Sequence, residues 1–323
     1  MKRVLVTSFY NRQAVAPAIE RLRQGAEVVL CNEGRQLSEE QLIAHLPGVD
    51  AVIATDERYS ERVFAAAPQL KMIALDGVGF DNVDLAAATR HGVIVNNAPV
   101  NYDSVADLAF GLMIATVRKI LVGDRGMRSG RWGERDAYLT PDVNGAILGI
   151  IGLGRVGRAV ARRAVGFDLT LLAYDPYVSP EAARPLGVQM VDLAELLSQA
   201  DIITIHMPLN PETRGMINGA AFARMKRGAY LINTSRGAIV DEPALIAALA
   251  SGHLAGAGLD VVCDEPPTPD NPLFRFDNVV LTAHVGSDTL GTFRKIFDSA
   301  VTDLLLFFDG QRPRNVVNPA VLG

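Results

Sequence analysis

Three glycines stand at the spacing Gly152-x-Gly154-x-x-Gly157, between an apolar run that opens at Ala146 and a stretch of helical periodicity. Each has a physical use in such a turn. The first permits the tight bend, the second lets the backbone approach a pyrophosphate, and the third allows close helix-to-strand packing, while the helix N-terminus offers free amides. On its own the spacing is equally well a glycine-rich turn, since the chain contains 29 glycines. The next β-rich run ends at Asp175, 23 residues after Gly152, close to the offset of about 20 at which a carboxylate accepts the ribose hydroxyls of adenosine. A carboxylate there would repel a 2'-phosphate, so the pair of features reads as a site for NAD rather than NADP. Arg184, the nearest arginine downstream, is poorly spaced to read a phosphate.

In open α/β sheets ligands bind beyond the carboxyl ends of the strands. The polar residues expected there are Asp175, His206, Ser235 with Arg236, Asp260 and His284. Hydride exchange at a carbon bearing oxygen needs a proton donor and acceptor, a cation that polarises the oxygen, and a hold on the rest of the substrate. A histidine, an arginine and backbone amides supply these. Taken singly, each residue has a bland reading: one histidine of five is more often packed or superficial, and Arg236 beside Gly237 could be an ordinary surface arginine. The dispersed histidines and the lack of a paired C-x-x-C argue against a metal site. Ser235 lacks the Gly-x-Ser-x-Gly elbow of a nucleophile.

The elements that must position these groups follow from periodicity. Strands are expected at Val4 to Ser8, Glu27 to Cys31, Ala51 to Thr55, Lys71 to Leu75 and Val93 to Asn96, with a helix at Ala14 to Arg23 between the first two. A longer helix is expected from Ser104 to Val122, then a connecting arm from Gly123 to Thr140 that carries the only tryptophan, Trp132, either as an anchor for a second subunit or buried within the chain. A second series runs Ala146 to Gly152, Thr170 to Tyr174, Ile202 to His206, Tyr230 to Asn233, Ala257 to Val261 and Val279 to Thr282, before a last helix at Thr289 to Gly310. Strands alternating with amphipathic helices make the fold class α/β with parallel sheets.

With 323 residues, two domains are expected. The 49% hydrophobic content excludes extended disorder, and a net charge of -5 leaves no basic excess for nucleic acid or an anionic membrane. Two cysteines, Cys31 and Cys263, are too few for a disulfide framework, which fits a reducing cytoplasm. The apolar run after Met1, Lys2 and Arg3 is too short for a secretory leader, and no run is long enough to span a bilayer.

The chain resembles the D-isomer-specific 2-hydroxyacid dehydrogenase family over nearly its full length. The likeness rests on Gly77 to Asp84, Ser104 to Asp107, the Gly152 loop, His206 to Leu209 with Thr213, Asn233 to Gly237, Leu259 to Pro266 and Thr282 to Ser287. The resemblance implies a Rossmann NAD-binding domain at 101–287, inserted into a smaller flavodoxin-like substrate domain made of 1–100 and 288–323, both doubly wound parallel sheets. It implies that Arg236 binds the substrate carboxylate and carbonyl oxygen, that His284 is the general acid and base, and that Glu265 pairs with His284. A carboxylate beside an imidazole favours the imidazolium. Val78 and Gly79 match the loop whose amides hold the carboxylate. Ser104, Gly152, Gly154, Arg155, Val156, Gly157, Asp175, His206, Pro208, Thr213, Thr234, Ser235, Asp260 and Gly286 fall on the cofactor side, Asp260 being as readily structural. The family also implies a homodimer and a hinge between the domains.

Several positions depart from the family's pattern. Ala283 stands where many members have proline before the histidine, Ser287 closes that motif, Asn97 replaces a frequent threonine, and Val100, Asn101 and Tyr102 replace a common Gly-containing stretch. Leu75 and Asp76, rather than a basic residue, precede the amide loop, and an acid there would repel a phosphorylated substrate. The expected substrate is therefore a small unphosphorylated 2-oxo acid of the hydroxypyruvate or glyoxylate class. Phosphoglycerate dehydrogenase, a corepressor-like NAD(H) sensor and a formate dehydrogenase are the alternatives. No C-terminal regulatory domain is expected.

Overall fold

A computed structural model of the chain describes residues 1–7, 12–31, 36–133 and 135–323. The first stretch runs β1 (Lys2–Val6), α1 (Arg12–Arg23), β2 (Ala26–Leu30), α2 (Glu39–His45), β3 (Ala51–Ala54), α3 (Glu61–Ala66), β4 (Met72–Leu75), α4 (Leu85–Arg90) and β5 (Ile94–Asn96). Then follow α5 (Tyr102–Val117), α6 (Ile120–Arg128), β6 (Ile147–Ile151), α7 (Arg155–Ala164), β7 (Thr170–Tyr174), α8 (Pro180–Ala183) and β8 (Val188–Met190). The remainder is α9 (Leu193–Gln199), β9 (Ile202–Ile205), α10 (Gly219–Arg224), β10 (Ala229–Asn233), α11 (Glu242–Ala250), β11 (Leu254–Leu259), β12 (Val279–Leu281) and α12 (Leu290–Phe308).

The chain forms two compact units. One comprises Met1–Asn101 with Ser287–Gly323, the other Tyr102–Gly286. The first unit holds a parallel five-stranded sheet in the order β2-β1-β3-β4-β5. Strands β3 and β4 are buried at every residue, which is why they read as unbroken apolar runs rather than alternating ones. Helix α12 belongs here: Phe293, Ile296, Phe297, Ala300, Val301 and Leu304, spaced three and four apart, pack with α1 and the faces of β1, β3 and β4. Thr289 caps it by accepting the Thr292 amide.

The second unit is a seven-stranded parallel sheet, β12-β11-β10-β9-β6-β7-β8, with a separate core on each face. From β6 the chain winds outward to β7 and β8, then returns to pair β9 on the other side of β6. The loops that leave β6 and β9 therefore diverge, opening a crevice at the carboxyl ends.

Most of the expected strands lie within two residues of the observed ones. The first is shifted to Lys2–Val6, and Ser8 of the expected run lies outside the described residues. Strand β8 has no counterpart among the expected elements, because three residues with a polar Gln189 at the centre carry no period. The expected helix from Ser104 to Val122 is two helices. Lys119 adopts a left-handed conformation, φ 50°, which an α-helix cannot continue. Much of the expected arm is thus helical, and Trp132 within it is 64% exposed rather than buried, under the guanidinium of Arg135 at 5.2 Å. Glu134 lies outside the described residues. Among the described residues no helix is long and apolar enough to cross a membrane, and no group of three or more His, Cys, Asp or Glu could hold a metal ion.

Candidate active site

Strand β6 is followed directly by Gly152, whose φ of 96° suits glycine alone, and a Cβ there would sit 2.8 Å from the carbonyl carbon of His206. At Gly157 a Cβ would meet the Gly152 carbonyl oxygen at 2.1 Å, so α7 starts in direct backbone contact with the turn. Beside Gly154, by contrast, nothing stands within 4 Å of where a Cβ would be. That open side, with Arg155 exposed and Val156 half-buried at the first turn of α7, leaves room for an anion at a helix N-terminus. Asp175 follows β7 and is half-buried. Its Oδ2 accepts the Leu153 amide at 2.8 Å and its Oδ1 the Tyr177 amide at 2.9 Å, which fixes the carboxylate beside the glycine turn.

The other residues expected on the cofactor side divide by how their polar atoms are used. The His206 Nε2 pairs with Thr204 Oγ1 at 2.9 Å, while its Nδ1 and the Thr234 Oγ1 are buried without a partner among the described residues. Desolvation pushes the His206 imidazole down to about 3, so the ring is neutral. Thr213 is buried, and its hydroxyl donates to the Pro208 carbonyl at 2.7 Å and accepts the Asn210 amide at 2.9 Å, closing the turn after β9. Ser235 Oγ donates to the Met207 carbonyl. Ser104 is buried near the start of α5. Two orphaned polar atoms, a fixed carboxylate and an open glycine cradle at one end of the sheet fit a dinucleotide.

The chemistry-bearing trio follows β10, β11 and β12. Asn233 shapes the first turn: its Oδ1 accepts the Ser235 amide and its Nδ2 donates to the Arg236 carbonyl, each at 3.0 Å. The Arg236 Nη1 donates to the Ser235 carbonyl at 2.9 Å. Next to it, a Cβ on Gly237 would lie 2.0 Å from the Val262 carbonyl, so the Arg236 turn rests on the backbone of the loop that carries Glu265. The Glu265 Oε1 accepts the Val262 amide at 3.1 Å, and its Oε2 meets His284 Nδ1 at 2.7 Å. Burial pushes the Glu265 carboxyl up. The hydrogen bond and charge of His284, the Val262 amide and the Arg236 guanidinium outweigh this and hold it below the usual carboxylate range.

His284 has a left-handed backbone, φ 54°, an unusual conformation for a residue with a Cβ. Asp260 holds it there. Buried at the end of β11, its Oδ1 accepts the Thr282 hydroxyl at 2.6 Å and the Val285 amide at 2.9 Å, its Oδ2 accepts the Gly286 amide at 2.9 Å, and its carbonyl accepts the His284 amide at 2.8 Å. Asp260 thus clamps the His284 loop on both sides. The roles of Asn233 and Gly237 had no signal in single-residue chemistry, since each acts by shaping backbone. Cys263, in the loop that carries Glu265, has its thiol pushed up to about 11 by partial desolvation and by the negative charges of Glu242 and Asp264.

In the first unit, Val78 and Gly79 follow β4. Val78 is 39% exposed, and the loop is tied back to the segment after β5 by hydrogen bonds from the Ala98 amide to the Gly77 carbonyl and from Asn97 Nδ2 to the Val78 carbonyl, both 2.8 Å.

Comparison with known proteins gives the family. Residues 110–286 match the family model described as the D-isomer specific 2-hydroxyacid dehydrogenase NAD binding domain. The chain belongs to the D-isomer-specific 2-hydroxyacid dehydrogenases. It is an NAD-dependent oxidoreductase acting on 2-hydroxy and 2-oxo acids. A glyoxylate reductase of Korarchaeum cryptofilum is 39% identical over 320 residues, 97% of this chain and 96% of that protein. A D-3-phosphoglycerate dehydrogenase of Archaeoglobus fulgidus is 41% identical over 303 residues, 93% of this chain, which spans only 57% of that longer protein. Among solved structures, the D-lactate dehydrogenase of Aquifex aeolicus complexed with NAD and lactic acid superposes with a TM-score of 0.87 at 28% identity, covering 98% of this chain and 99% of that one.

Proposed function

We propose that this 2-hydroxyacid dehydrogenase reduces a small unphosphorylated 2-oxo acid, of the glyoxylate or hydroxypyruvate class, with NADH. The reading is carried by the 2.7 Å contact between His284 Nδ1 and Glu265 Oε2 in the unit that holds Arg236. With Nδ1 held by the carboxylate, Nε2 is the nitrogen left to carry the mobile proton. Arg236 binds the substrate carboxylate and polarises the C2 carbonyl, while the amides of Val78 and Gly79 hold the carboxylate. NADH, when bound, supplies the hydride that reaches C2. The proton leaves His284 Nε2 for the carbonyl oxygen, which becomes the hydroxyl, and Glu265 stabilises the imidazolium before transfer. Asp175 receives the adenosine ribose and disfavours a 2'-phosphate. Gly152, Gly154, Arg155, Val156 and Gly157 hold the pyrophosphate, and His206, Pro208, Thr213, Thr234, Ser235, Ser104 and Gly286 line or support the cofactor side. Asp260 acts through the loop that it clamps.

Asp76, immediately before the amide loop, favours an unphosphorylated substrate over the phosphoglycerate alternative. Ile120, Leu121, Met127, Trp132 and Leu139, all exposed within twenty residues, support a homodimer built on this stretch. A cytoplasmic protein is in keeping with two free cysteines.

The test is NADH oxidation against glyoxylate, hydroxypyruvate and phosphohydroxypyruvate, with the His284→Ala protein alongside. Loss of the general acid should lower kcat by about 100-fold or more. Equal slow turnover by both proteins would remove the catalytic reading and favour the NAD(H) sensor.

A further inference from the structure

The first unit contains a support for its amide loop that the reaction chemistry does not by itself require. Two successive carbonyls of that loop are tied down: Gly77 accepts the Ala98 amide and Val78 accepts Asn97 Nδ2, each at 2.8 Å. A trans peptide is planar, with its C=O and N–H pointing in opposite directions. The Gly77 carbonyl shares a plane with the Val78 amide, and the Val78 carbonyl shares one with the Gly79 amide. Fixing both carbonyls toward residues 97 and 98 therefore turns both amides the other way, side by side, as an anion-binding pair requires.

Only one of the two ties comes from a side chain. A carbonyl oxygen can only accept, so the amide nitrogen of Asn97 is the atom that must face it. Asn97 is 92% buried, and the segment that carries it is braced in turn. Its own amide donates to the Asn315 carbonyl at 3.1 Å, Asn96 Oδ1 accepts the Asn315 amide at 3.0 Å, and Asn318 Oδ1 accepts the Val95 amide at 2.8 Å. The C-terminal tail thus stiffens the post that Asn97 stands on.

We propose that Asn97 is a positioning residue for substrate: by holding the Val78 carbonyl it aims the Gly79 amide, and with it the carboxylate-binding pair. This rests on the reading that the pair receives the carboxylate of a 2-oxo acid. The residue that departs from the family's frequent threonine would then tune affinity for the acid group and leave the hydride and proton steps alone.

The experiment compares wild type with Asn97→Ala and with Asn97→Asp, which keeps the volume but presents oxygen to oxygen. KM for glyoxylate should rise about tenfold in both, the effect of one lost hydrogen bond to a binding group. The kcat should stay within about threefold and KM for NADH within about twofold, a split that a loss of general structure would not produce. Oxalate titrated by thermal shift reads the same pair without turnover and should bind about tenfold more weakly to the variants. If Asn97→Ala does not fold, Asn97→Asp alone decides. Unchanged KM and oxalate affinity would overturn the proposal, as would parallel losses in kcat, NADH binding and KM. A wild-type protein inert to every 2-oxo acid but with Asn97-dependent oxalate binding would refute the reaction and retain the assignment.

Discussion

Two histidines of the second unit have opposite electrostatic settings. His284 meets a carboxylate whose acidity its own positive charge strengthens, whereas His206 has only a threonine hydroxyl for a partner and a desolvated ring. The folded His206 takes its proton at about 3 against an ordinary value of 6.5. Between those values the unfolded chain binds a proton that the folded chain refuses, so stability is full above pH 6.5 and declines as pH falls toward 3. The melting temperature should fall through that window, and His206→Gln should flatten the slope. A variant retaining the wild-type slope would show that another group titrates. Glu265 has the sign usual for a depressed carboxylate: its contribution is present above the ordinary carboxylate pKa and lost as pH falls through the lower folded value. At neutral pH the Glu265–His284 contact is therefore intact.

The loops after β10, β11 and β12 form one assembly, because each supports the next through backbone. Gly237 lets the Arg236 turn lie on the Val262 carbonyl, the Val262 amide holds Glu265, and Asp260 clamps the loop that presents His284. Gly237→Ala inserts a methyl where the carbonyl already stands, an overpacking that costs about 1–3 kcal/mol. Its expected signature is a fall in kcat/KM for the 2-oxo acid larger than the fall in melting temperature would explain, with NADH affinity nearly unchanged; wild-type kinetics in that variant would show that the loops are independent. The placement of Asp175, His206, Arg236 and His284 was legible in the sequence because each directly follows, or comes within three residues of, an apolar run that announces a strand terminus. The roles of Arg236, Glu265 and His284, by contrast, were implied only by the family resemblance. The supports were not legible. Contacts such as that of Gly237 with Val262 join residues distant in sequence through backbone atoms that every residue shares, and the left-handed Lys119 that divides α5 from α6 leaves no mark on hydrophobic periodicity.

At the level of the molecule, the exposed apolar residues between 120 and 139 bear on assembly. Ile120, Leu121, Met127, Trp132 and Leu139 are 41 to 72% exposed, more large apolar surface in one stretch than a solitary subunit usually leaves in water. Light scattering should therefore give about twice the 34.6 kDa of one chain. Trp132→Asp should shift the equilibrium toward that single mass, and a monodisperse monomer for wild type would dismiss the pairing. Cys263 has a more practical meaning. With its thiol pushed up to about 11, only about one molecule in ten thousand carries the reactive thiolate at pH 7. Preparations should thus keep their activity in air without added reductant, and alkylating reagents at neutral pH should act on this enzyme slowly, although the sulfur sits two residues from the glutamate that steadies its histidine.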